Sequence, residues 1–107
     1  METLIRNIKF TRGNTYGFQV KIKTNTIDIK NIYFTVKDGS DVKQIEKKLD
    51  DGITLEEDTI TDRLKPNDTD NFFEEVQYKY DLQINYGLDD EWTPMKGMLV
   101  VGWKATD

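Results

Sequence analysis

The 107-residue sequence contains no cysteine and no histidine, and its only serine is Ser40. Without cysteine the chain can form neither a disulfide framework nor a thiolate zinc site. Without histidine it lacks the commonest general base, and Ser40 lies in a turn with no imidazole to activate it. We therefore expect a protein that is not an enzyme and that uses no cofactor.

Long apolar runs are missing as well, so no segment is apolar enough to span a membrane. The first ten residues, METLIRNIKF, place Glu2, Arg6 and Lys9 among apolar residues, unlike the core of a signal peptide. We expect a protein made in the cytoplasm and without membrane association.

Basic residues are scarce in the second half of the chain. The net charge is −5, and residues 1–48 hold ten Lys and Arg against five Asp and Glu, whereas residues 49–107 hold five against fifteen. A negative net charge argues against nucleic acid as a partner, because binding to a phosphate backbone needs a positively charged protein surface. The asymmetry favours head-to-tail contacts, between copies in a homo-oligomer or with a neighbouring protein; the alternative is a solvated surface.

Strict alternation of apolar and polar residues is the clearest positive signal. It is longest in VQYKYDLQI (76–84), where Val76, Tyr78, Tyr80, Leu82 and Ile84 share one face. Period two indicates a half-buried strand, which we predict to be central. The length predicts a single domain over residues 1–107.

Shorter alternating segments predict further strands at residues 3–10, 16–22, 31–37, 53–55, 59–64 and 98–105. Residues 42–49 fit either a helix or a strand; we favour a strand, closed by a hairpin turn at Asp50-Asp51-Gly52. Seven or eight short strands with regular turn signals predict an all-β antiparallel sandwich or small barrel. Asp68 would cap one short helical turn near 68–73, with Phe72 and Phe73 closing the end of the domain.

Three candidate sites arise from residue type alone. Adjacent carboxylates such as Glu56 and Glu57 point to opposite faces of a strand, so none forms an acid–base dyad. The oxygen-rich residues 67–75 fit a calcium loop poorly, and turn or cap roles are favoured over metal. Tyr86 and Trp92 flank a predicted hairpin tip, where they would stack on a sugar if exposed or else pack over the core.

Six segments in fixed order form one pattern over nearly the whole chain: RGNTYGFQVKI (12–22), IDIKNIYFTVK (27–37), DDGI (50–53), LKPNDT (64–69), YKYDLQI (78–84) and MKGMLVVGWKATD (95–107). This pattern resembles the small immunoglobulin-like β-sandwich proteins and domains of bacteriophage and prophage tail, baseplate and neck modules. The resemblance implies a non-enzymatic structural protein of the virion, whose partners are other phage structural proteins. A carbohydrate-binding module for cell-surface glycan is the alternative function.

The resemblance also implies structural roles for three aromatic residues. Tyr78 matches the tyrosine that hydrogen-bonds back to the preceding corner in immunoglobulin-like sandwiches. Tyr80 stands where antibody domains keep a core cysteine, and Trp103 belongs to the predicted closing strand. Val76 departs from the pattern, because a glycine is expected two residues before the corner tyrosine.

Overall fold

The computed structural model describes residues 3–22, 28–70, 72–87 and 90–102, and most of them lie in β-strands. One 3₁₀ turn, Pro66–Thr69, is the only helical element among these residues. The strands are β1 (Leu4–Ile5), β2 (Ile8–Thr11), β3 (Tyr16–Lys21), β4 (Asn31–Lys37), β5 (Lys43–Leu49), β6 (Gly52–Glu56), β7 (Thr59–Leu64), β8 (Gln77–Asn85) and β9 (Glu91–Gly102).

The nine strands of the described residues form one hydrogen-bonded sheet in the order β1-β9-β8-β4-β5-β6-β7-β3, and β2 also pairs with β9. The prediction of an all-β fold is therefore confirmed. The sheet is a curled half-barrel of mixed strands. The predicted antiparallel pairing is wrong for three strand pairs, because β1 and β2 run parallel to β9 and β5 runs parallel to β6. The other pairs are antiparallel.

Curling of the sheet places β3, at one end of the strand order, over its middle. The Phe18 ring of β3 lies 5.4 Å from the Phe34 ring of β4, which in turn lies 5.6 Å from the Tyr80 ring of β8. Alternate residues of β8 point into this core, as predicted: Tyr78, Tyr80, Leu82 and Ile84 are buried. Val76 precedes the strand and is exposed, so the strand begins one residue later than expected, at Gln77, and its first buried residue is Tyr78.

The segment 42–49 is a strand rather than a helix, as favoured, with β5 beginning one residue later, at Lys43, but the predicted hairpin turn at Asp50-Asp51-Gly52 is wrong. The chain turns a corner there, because β6 pairs in parallel with the end of β5 at Lys48↔Gly52. Asp50 and Gly52 adopt positive φ angles of 66° and 100°, which gives the sharp bend its geometry. A β-carbon at Gly52 would also lie 2.7 Å from the Lys47 Cδ atom.

The helical turn predicted near 68–73 lies earlier, at Pro66–Thr69. Pro66 starts it because the fixed φ of proline suits the first position of a helix. Asp68 is inside the turn, where its Oδ2 atom accepts a 2.7 Å hydrogen bond from the Lys65 amide. Of the two residues expected to close the domain end, Phe72 is buried whereas Phe73 is 74% exposed.

The closing strand, β9, begins earlier than predicted, at Glu91, and the described part of it extends to Gly102. Trp103 lies outside the described residues. Gly97 and Gly102 of β9 both face the first two strands, where the backbones approach closely. A β-carbon at Gly97 would collide with the Arg6 carbonyl oxygen, and one at Gly102 would lie 3.2 Å from the Phe10 carbonyl oxygen.

Candidate functional site

The outward side of β9, β8, β4 and β5 carries a concentration of lysines. Strand register places Asp81 opposite Lys96 and Thr35, and Lys79 opposite Met98 and Lys37. The same alternation that buries the aromatic residues of β8 therefore projects its polar residues outward. We call this surface the lysine face and define it by Lys37, Lys43, Lys48, Lys79 and Lys96.

An open groove of about 510 Å³ lies on this face beside β1. Its apolar lining comes partly from Ile5 and Met98, which are 64% and 38% exposed, and its charged lining includes Lys37, Lys79 and Lys96. We call it the first groove. A second groove of about 480 Å³, over β4 and β5, is far more polar and shares Lys37 and Asp81 with the first.

Positive charge prevails on the lysine face. Lys79 Nζ lies 2.9 Å from Asp41 Oδ1, and Lys43 Nζ lies 2.7 Å from Glu46 Oε2. Partial burial raises the pKa of Asp81, an effect that the nearby ammonium groups of Lys37 and Lys96 oppose. Five lysines therefore face three carboxylates, although the chain as a whole has a net charge of −5. The two sequence halves that differ in charge interleave here, because β4 and β5 pair alongside β8 and β9.

Tyr80 connects the buried side of this sheet to its edge. Its hydroxyl donates a 2.5 Å hydrogen bond to the Arg6 carbonyl, at the break between β1 and β2. Burial is the main reason that the pKa of Tyr80 is raised to about 12. The phenol is therefore a hydrogen-bond donor at neutral pH and serves to hold the edge that borders the first groove.

Tyr78 holds the segment that precedes β8. Its hydroxyl oxygen accepts a 2.8 Å hydrogen bond from the Phe73 amide, five residues upstream. Its ring stacks on Phe72, with ring centroids 4.3 Å apart. The backbone at Phe73 is thus fixed although the Phe73 side chain is exposed.

Tyr86 and Trp92, the predicted aromatic pair, are half-buried and pack against the hydrophobic core. The Tyr86 hydroxyl is itself buried and has no hydrogen-bond partner among the described residues. Both rings therefore pack over the core, as the packing alternative describes, and neither is fully exposed.

Asp62 is a buried acidic residue that the sequence argument did not single out. It is fully buried, and neither of its carboxylate oxygens has a hydrogen-bond partner within the part of the chain that the structure describes. Burial raises its pKa to about 7, and the Lys47 ammonium counters this rise in part. The sequence did contain a signal for the burial of Asp62. In the strand β7 it lies at an alternate position with Ile60 and Leu64, on the same face, and both of those residues are buried.

Three acidic groups of the candidate calcium loop are engaged by the protein itself. Asp68 Oδ1 pairs with Lys47 Nζ at 2.9 Å, while Glu74 and Glu75 pair with Arg12 and Lys9. Among the described residues, no cluster of three or more potential ligand residues is arranged to hold a metal ion.

The sequence matches no protein-family model and shows no significant similarity to a curated protein. No helix among the described residues is long and apolar enough to cross a membrane. The features of the chain that can indicate a function are therefore its surfaces, above all the first groove and the exposed Phe73.

Proposed function

We propose that this protein is a non-enzymatic structural subunit of a phage or prophage tail, baseplate or neck, acting through protein–protein contacts. The observation that carries the proposal is the first groove, an open cavity with an apolar rim on a charged sheet face. Such a mixture of apolar and charged surface suits a protein partner. The order of sequence segments that resembles phage immunoglobulin-like proteins supplies the class of partner, other phage structural proteins, and a place in the virion.

We further propose that the curled sheet is a variant of the immunoglobulin-like sandwich. The hydrogen bond between the Tyr78 hydroxyl and the Phe73 amide supports this, because the corner tyrosine of such folds also bonds to backbone a few residues upstream. The burial of Tyr80 at the position of a core cysteine agrees with it. The packing of the Phe18 ring of β3 over the Phe34 ring of β4 also supports the proposal, because a sandwich needs two facing layers.

Two edges of the sheet are candidate contact surfaces in an assembly. β1 and β2 form one end of the strand order, and β3 forms the other. Edge strands pair readily with extended segments of a partner, and apolar side chains beside them add affinity. Leu4 and Ile5 of β1 are both exposed large apolar residues, so this edge is the preferred contact region.

Purified particles provide the decisive test. Phage particles induced from the strain that carries the gene would be purified on a density gradient and analysed by mass spectrometry. We expect the protein at a fixed ratio to the known tail proteins, and genes for capsid, tail or baseplate proteins beside its own. Its absence from the particles, together with neighbouring genes of unrelated function, would overturn the proposal.

A further inference from the structure

Phe73 is the most exposed of the large apolar side chains in the described part of the chain, at 74%. Its backbone is nevertheless held, because its amide donates to the Tyr78 hydroxyl and the preceding Phe72 is buried in the core. Phe73 therefore has a fixed backbone and an apolar side chain that is exposed to solvent. Single aromatic residues of this kind, packed into a pocket, often carry most of the binding energy of an interface.

The first groove is complementary to such a ring. Ile5 and Met98 supply an exposed apolar rim, and the stems of Lys37 and Lys96 add further apolar surface. A cavity of about 510 Å³ has room for an aromatic side chain together with part of its neighbours.

Charge complementarity favours the same pairing. Glu74 and Glu75 follow Phe73 directly, and both pair with cations across solvent-accessible surface, Arg12 and Lys9. Lys37 and Lys96 of the groove lie near Asp81, but neither forms one of the close ion pairs found among the described residues. If the Phe73 ring entered the groove, the two glutamates that follow it would lie close to the groove lysines. The charge of the groove therefore suits a partner segment in which an aromatic residue is next to acidic residues.

We propose that Phe73 of one copy of this chain inserts into the first groove of a second copy. Phe73 is not among the residues that line the groove of its own chain, so the contact must join two molecules. Different surfaces meet, which makes the interface heterologous and able to build a ring or a filament. The inference rests on the proposed function as an assembly subunit and names a second copy as one of its partners.

Two single substitutions and one control test the contact in the full-length chain. Phe73→Ala removes the inserted side chain, Met98→Glu places a carboxylate on the rim of the groove, and Val42→Ala truncates an exposed residue outside both surfaces. Sedimentation velocity and light scattering over a concentration series would measure the average mass. We expect wild type and Val42→Ala to associate alike, and each of the other variants to associate at least about tenfold more weakly.

Mixing the two defective variants gives the sharpest result. Phe73→Ala retains an intact groove and Met98→Glu retains an intact Phe73, so one functional interface can form between them. We expect the mixture to produce two-chain complexes and nothing larger, although neither variant associates alone. Wild type that stays monomeric up to millimolar concentration would overturn the inference. So would association that neither substitution weakens, or a mixture that behaves as the sum of its separate components.

The same variants separate this inference from the proposed function. If the protein is found in purified particles but remains monomeric in solution, the self-contact is wrong and the structural role stands. If it self-associates through Phe73 but is absent from particles and its gene has no phage neighbours, the phage role is wrong and the self-contact stands.

Discussion

The Tyr80 hydroxyl bonds to the Arg6 carbonyl across 74 positions of sequence, and this contact defines how the edge of the sheet is attached. Arg6 lies at the break between β1 and β2, where its amide also donates a 2.9 Å hydrogen bond to the Lys96 carbonyl. Asn7 continues the attachment by accepting a 3.1 Å hydrogen bond from the Met98 amide through its side chain. Backbone and side-chain groups thus replace regular strand pairing at the break.

Removal of the Tyr80 hydroxyl should weaken this attachment. Tyr80→Phe keeps the ring in the core but leaves the Arg6 carbonyl without that donor, and we expect a loss of about 1 kcal/mol in the free energy of unfolding. Urea titration followed by circular dichroism would measure it. Tyr33→Phe, on the lysine face, is the matched control and should change stability by less than about 0.5 kcal/mol. Equal effects of the two substitutions would contradict the role assigned to Tyr80.

The attachment of β1 and β2 to β9 also requires glycine at position 97. A methyl group there would collide with the Arg6 carbonyl oxygen, and the neighbouring carbonyl carbon would lie only 2.8 Å away. These are backbone atoms, which cannot rotate aside as a side chain does. We therefore expect Gly97→Ala to cost about 1–3 kcal/mol and to increase hydrogen exchange in β1 and β2.

Gly39 supplies the control for that substitution, because a β-carbon at Gly39 would meet nothing within 4 Å. Gly39→Ala should leave both the unfolding midpoint and the exchange of β1 nearly unchanged. If Gly97→Ala were equally neutral, the close approach of the Arg6 backbone would be wrong.

Tyr78 should control the order of the segment that carries Phe73. Tyr78→Phe removes the acceptor of the Phe73 amide, and we expect a loss of about 1 kcal/mol in stability. The amide should also exchange with solvent markedly faster than in wild type, which nuclear magnetic resonance would detect. Unchanged exchange at Phe73 in the variant would contradict this contact. The Tyr33→Phe chain again controls for the loss of a tyrosine hydroxyl.

Local pattern predicted the strands well where one face is buried. In β8 the alternation of Tyr78, Tyr80 and Leu82 with polar residues matches their burial directly, since the period of a strand is two. The same holds for β4, where Ile32 and Phe34 are buried at alternate positions. These elements are determined by neighbours in sequence, and so the sequence alone was sufficient.

Features that depend on distant residues were not predictable in this way. Asp50-Asp51-Gly52 has the composition of a hairpin turn, but positive φ angles at Asp50 and Gly52 serve equally well to bend one strand into the next. The first groove arises because Ile5 of β1 lies beside Lys96 of β9, a juxtaposition created only by folding. The exposure of Phe73 was mistaken for burial because adjacent Phe72 and Phe73 carry the same apolar signal.

The buried carboxyl of Asp62 should make stability depend on pH. Its pKa is raised from 3.8 to about 7 in the fold, chiefly by burial. The ammonium group of Lys47 from β5 lowers the pKa in part, whereas Asp68 from the 3₁₀ turn raises it. Between these two pKa values the folded chain holds a proton that the unfolded chain has released. The contribution of Asp62 to stability is therefore complete below pH 3.8 and is lost as the pH rises to about 7.

Asp62→Asn removes this titration and leaves a neutral side chain of similar shape. Each unit by which the two pKa values differ is worth about 1.4 kcal/mol, so the wild type should lose about 4 kcal/mol across this window through Asp62. We expect the variant to lose that part of the slope and to be more stable than wild type at about pH 8, with urea midpoints at several pH values as the measurement. Asp90→Asn, at an exposed position, should keep the slope of wild type. An Asp62→Asn chain whose stability has the same pH dependence as wild type would show that the buried carboxyl does not take up the proton.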